Sequence, residues 1–115
     1  MNLTVTNSTA WLILLGAGLL EIVWSISMKA SDGFTRLPYT ALTIAAASLS
    51  FWLLGLSSKA LPVGTAYAVW TGIGAVGAAI LGIAIFGEPA NPARLGCIAL
   101  IVLGILGLKL TSGHF

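Results

Sequence analysis

The stretch GLLEIVWSIS, residues 18–27, places one carboxylate, Glu21, in an otherwise nearly apolar run. An acidic side chain at the centre of a membrane helix costs about 2.5–3.5 kcal/mol on insertion scales, so such residues are rare and tend to be functional. Residues three and four apart on a helix share a face, which aligns Gly18, Glu21, Trp24, Ser25 and Met28 in one stripe. Ala17 and Gly18 leave room below the carboxylate, while Trp24 and Ser25 bring an indole N–H and a hydroxyl above it. A second stripe holds Tyr67, Trp70, Thr71 and Gly74, and Ser50 with Phe51 adds a third contribution. Indole, phenol and hydroxyl groups around a carboxylate make a pocket with hydrogen bonds and π-faces for an organic cation. Removal from water disfavours the bare charge, so Glu21 is expected to hold either a proton or a cation, but not both. That competition is the chemistry of a proton/cation antiporter. The plainer alternative is a protonated glutamate tying two helices together by hydrogen bonds.

These groups need helices to position them, and the composition says where those helices lie. Hydrophobic residues make up 58% and charged residues 7% of the 115-residue chain, with a mean hydropathy of +1.06. A soluble domain carries roughly 25% charged residues, so this chain has no water-facing shell. It reads as an all-α integral membrane protein, one domain over residues 1–115, with four transmembrane helices at about 10–29, 38–57, 63–86 and 93–110. Pro38 suits a first helical turn, where its missing N–H is no loss. The connections SDGFTR, SKALPVG and GEPANPAR are short, so successive helices run antiparallel. Trp11 and Trp52 are expected at the membrane interface or facing lipid. The N-terminal MNLTVTNSTA lacks a basic region, and no removable signal peptide is read. Cys97 reads as a packing residue, Glu88 and Asp32 as loop residues, and His114 as a tail residue outside any site. The small net charge of +2 suggests no nucleic-acid partner.

Basic residues near helix ends orient a membrane protein. Here Lys59 and Lys109 lie on one side, and Lys29, Arg36 and Arg94 on the other. So weak a bias permits insertion both ways, and two oppositely oriented copies would pair as an antiparallel dimer. Glycine adds mobility and contact. Gly72, Gly74, Gly77 and Gly82 soften helix three, and Gly96, Gly104 and Gly107 suit helix four for packing against a second copy. Four short helices hardly enclose a substrate path alone.

Taken together, LLEIVWSISMKASDGFTRL, LPVGTAYAVWTGIGAVGAAILG, FGEP and GILGLKL resemble the small multidrug resistance family of bacterial four-helix exporters. The resemblance runs from about Ala10 to Ser112, and Trp24 and Lys109 make it most similar to the guanidinium exporter subtype. The resemblance implies an antiparallel homodimer, often of dual topology, in the bacterial inner membrane. It implies that Glu21 binds protons and substrate, that Trp24 and Ser50 orient it with Ser25 as a weaker candidate, and that Tyr67 and Trp70 line the pocket. Gly72 and Gly74 would mark a bend in helix three. The substrate would be guanidinium or a small guanidinyl cation, exported by alternating access against protons. No cofactor, metal or enzymatic step is implied. Two rivals stay open: a promiscuous exporter of quaternary ammonium cations, and one subunit of a heterodimeric transporter. The N-terminal MNLTVTNS extends beyond the usual family start, and the loop GEPANPARL has only one basic residue.

Overall fold

Four helices account for nearly all of residues 5–111, the part described by the computed structural model: α1 (Asn7–Ala30), α2 (Leu37–Ser57), α3 (Val63–Phe86) and α4 (Pro92–Thr111). At 1.5 Å per residue, helices of 20–24 residues span roughly 30–36 Å, enough to cross the ~30 Å hydrocarbon core of a bilayer. All four are apolar enough to do so. The chain is a multi-pass membrane protein.

Local chemistry sets the helix ends. α1 starts three residues before the apolar run because Thr6 caps it: Thr9 N–H donates to Thr6 Oγ1 at 3.2 Å. After Ala30 the chain passes through three successive left-handed residues, Asp32 (φ 52°), Gly33 (φ 71°) and Phe34 (φ 66°). Such a conformation is uncommon for a bulky residue, and Ser31 holds it in place. Phe34 N–H donates to Ser31 Oγ at 3.0 Å, and the amides of Thr35 and Arg36 donate to its carbonyl at 2.9 and 3.0 Å. Pro38 lies in the first turn of α2. Gly87, with φ 67°, ends α3, and Glu88 N–H returns to the carbonyl of Gly82 at 3.2 Å. Asn91 caps α4 by accepting from Arg94 N–H at 2.8 Å, so this helix begins at Pro92.

α1 packs against both α2 and α3, whereas α4 packs against α3. The core comprises Ala10, Leu14, Ala17, Leu54, Leu61, Ala66, Val69 and Trp70. Its three alanines let backbones approach closely, which matters because lipid supplies no hydrophobic drive between helices. The α-carbon envelope measures 39 × 37 × 16 Å. One chain is therefore a thin slab, with no described residue of α4 fully buried.

Candidate functional site

α1 and α3 run in the same direction, and their contact is built on glycine. A Cβ at Gly18 would stand 2.6 Å from Ile73 Cγ2, inside any tolerable contact. One turn on, the Glu21 carboxyl lies directly against Gly74, and Ile22 lies against Gly77. Any side chain at Gly74 would occupy the space of the carboxyl group. The absence of a Cβ on α3 is thus what lets an acidic side chain fit between two apolar helices.

Glu21 is half-buried, and its Oε1 is buried with no hydrogen-bond partner among the described residues. A carboxyl oxygen withdrawn from water without a donor is costly. A proton on the group, or a cation with N–H donors, removes that cost. Trp24, one turn along α1, has a buried Nε1–H that also lacks an acceptor among the described residues. Donor and acceptor share a helical face without being bonded to each other.

The other aromatic and hydroxyl groups form a separate network one turn toward the start of α1. Trp70 Nε1–H donates to Ser50 Oγ at 2.9 Å, and Ser50 Oγ–H donates to the carbonyl of Ala17 at 2.6 Å. A hydroxyl has one proton to donate. Ser50 gives it to Ala17, so the expected hydrogen bond from Ser50 to Glu21 is not made in this arrangement. Trp70 also packs against Phe51 and Tyr67, with ring centroids 5.2 and 5.5 Å apart. Trp70 is buried at 4% exposure and Tyr67 is 55% exposed, so one face of this cluster lies open at the chain's surface. Ser25 donates to the Ile22 carbonyl at 2.9 Å and lines a cavity of about 300 Å³ with Lys29, Phe86, Glu88 and Arg94. The structure therefore joins Ser50, Tyr67 and Trp70, keeps Glu21 and Trp24 together on α1, and turns Ser25 toward another cavity.

Gly72 and Gly74 were expected at a bend. What the structure displays at both is close packing: Gly72 admits Ile105 of α4, whose Cδ1 would lie 2.8 Å from a Cβ there. Gly96, Gly104 and Gly107 on α4 have no described residue where a Cβ would stand. Two arrangements were not foreseen. Trp11 is half-buried and lies beneath the Lys109 ammonium, 4.5 Å from Nζ to ring centroid. Trp52, by contrast, is 50% exposed. Glu88 is a half-exposed loop residue with partners of its own: it packs on Gly82 and accepts from Arg94 Nη2 at 2.9 Å. Neither pairing has a helical spacing that would announce it in the sequence. Among the described residues, no group of three or more His, Cys, Asp or Glu is placed to hold a metal ion. His114 lies outside the described residues.

The family model described as Small Multidrug Resistance protein matches residues 9–101. Guanidinium exporters of Escherichia coli strain K12, Citrobacter freundii and Salmonella typhimurium are each 59% identical to this chain over 103 residues. Those residues cover 90% of this chain and 98% of each relative.

Proposed function

The chain belongs to the small multidrug resistance family, and from that premise we propose that it exports guanidinium and small guanidinyl cations from the bacterial cell in exchange for protons. The observation that carries the chemistry is Glu21 Oε1, buried against Gly74 with no donor among the described residues. Guanidinium is planar and presents N–H donors in a fork that matches a carboxylate. A proton satisfies the same oxygen by making it a hydroxyl. Each ligand removes the need for the other, so loading one expels the other, which is the minimal requirement for antiport.

The working unit is an antiparallel homodimer. A slab 16 Å thick cannot surround a cation, whereas two slabs face to face enclose one between their carboxylates. The nearly balanced basic residues, Lys59 and Lys109 against Lys29, Arg36 and Arg94, support insertion in both orientations in the inner membrane. The glycine stripe of α4 is the natural contact between copies. In this reading Trp24 donates to Glu21 when the carboxylate is ionised, and the Ser50–Trp70 pair stiffens the wall beside it. Exchange of the open side then moves the loaded pair across by alternating access.

The test is current recorded from purified chain in liposomes on rapid addition of guanidinium, guanylurea or tetraethylammonium. Guanidinium and guanylurea currents that exceed the tetraethylammonium current support the reading. Equal currents would make it a promiscuous cation exporter. No current with any cation would end the homodimeric reading and point to a missing partner subunit.

A further inference from the structure

We infer that the groove between α1 and α4, floored by α3, is a binding site for one anionic phospholipid. Its upper part is a cavity of about 440 Å³ lined by Trp11, Leu15, Ile73, Ile105 and Lys109 among others. A second cavity, of about 360 Å³, shares Leu15, Ile73 and Ile105 and continues to Ile22. The two form one apolar channel along the helices. From Trp11 to Ile22 it runs about 17 Å at 1.5 Å rise per residue. One leaflet of a ~30 Å hydrocarbon core is about 15 Å deep. The channel therefore has the length of an acyl chain in place.

The polar end of the channel supplies the headgroup chemistry. Lys109 is in the last turn of α4, and its ammonium lies over the Trp11 ring at 4.5 Å. An ammonium has three donors, so it can hold a phosphate oxygen while resting on the indole. Trp11 Nε1–H is buried and has no acceptor among the described residues, and a phosphodiester is the acceptor chemistry that it lacks. A second copy of the chain is an unsuitable occupant. At 100° per residue, Gly96, Gly104 and Gly107 lie on the side of α4 roughly opposite Ile105 and Lys109. A partner seated on that stripe leaves the channel to lipid.

The experiment is native mass spectrometry of the full chain in mild detergent, with phosphatidylglycerol, phosphatidylcholine or glycerol phosphate added. Retention of phosphatidylglycerol above phosphatidylcholine is expected. Lys109→Gln should lower phosphatidylglycerol retention roughly fivefold, the effect of one basic residue worth about 1 kcal/mol at an anionic surface, and Lys109→Arg should restore it. Leu15→Trp, at a position 47% exposed, should reduce retention of both lipids by filling the channel, and it tests the idea even if Lys109→Gln misfolds. Equal retention of the two lipids, or an unaffected Lys109→Gln, would overturn the proposal. Glycerol phosphate retained as well as the lipid would make this a free-anion site instead. A Leu12→Cys chain on a Cys97→Ala background that oxidises to a covalent dimer in vesicles would put a second copy in the channel and also overturn it.

Discussion

The glycines of α3 and those of α4 differ in what surrounds them. Gly72, Gly74, Gly77 and Gly82 each have a neighbouring side chain where a Cβ would stand: Ile105, Glu21, Ile22 and Glu88. Among the described residues, nothing lies within 4 Å of where a Cβ would stand on Gly96, Gly104 or Gly107. The same residue type thus marks two uses. On α3 it is filled from within the chain, to admit a carboxyl and bulky aliphatics between tightly packed helices. On α4 it leaves a smooth face that only a neighbour outside the chain can fill. Composition alone does not separate these uses, since both helices read as glycine-rich apolar spans.

The largest effect expected from this contrast is at Gly74. Gly74→Ala forces the Glu21 carboxyl from its place, and overpacking of this kind costs about 1–3 kcal/mol. We expect guanidinium currents in liposomes to fall at least tenfold while the variant still inserts and purifies. Currents equal to wild type would show that Glu21 does not work from the position against α3. A smaller effect is expected where the wall rather than the carboxylate is touched. Ser50→Ala removes the acceptor of the buried Trp70 N–H. Interhelical hydrogen bonds in membranes contribute about 0.6–2 kcal/mol, so unfolding in a graded detergent mixture should shift by that amount. In a Trp70→Phe background the same substitution should matter much less, and an equal effect there would break the pairing.

The contrast also fixes how each helix should tolerate bulk. Gly104→Leu meets open space, so helix content and unfolding should match wild type while cross-linking between copies falls several-fold. Unchanged cross-linking would take α4 out of the proposed dimer contact. The smallest effect is expected at the Glu88–Arg94 pair, whose side chains are each 35% exposed. An ion pair this open contributes about 0–1 kcal/mol, so Glu88→Gln should leave guanidinium currents within about twofold of wild type. A large loss would mean that the loop takes part in transport.

The four spans were legible because runs of about 20 apolar residues between Gly-, Pro- and Asn-containing turns admit little else in a chain with 7% charge. Their ends shifted by a few residues where a side chain caps the helix, as Thr6 and Asn91 do. Glu21 stood out for the opposite reason: it is the one residue whose place in an apolar span needs an explanation. The stripe it shares with Gly18 and Trp24 follows from helical spacing. What spacing could not reveal is which helix faces which. The Ser50 proton goes to Ala17, 33 residues away, Lys109 lies on Trp11, and Gly74 faces Glu21. All three depend on rotations of whole helices, and helices that are apolar all round carry little pattern to fix those rotations. The proposed homodimer rests on the weak charge bias and the thin slab rather than on any contact within one chain.

The most direct measurement compares wild type with Glu21→Gln in liposomes, using guanidinium currents and guanidinium-driven proton release in detergent. The substitution keeps shape and removes the titratable group. The account predicts that both signals vanish together, because one oxygen carries proton and cation in turn. Proton release or current persisting in Glu21→Gln would contradict it and move the exchange site elsewhere in the chain.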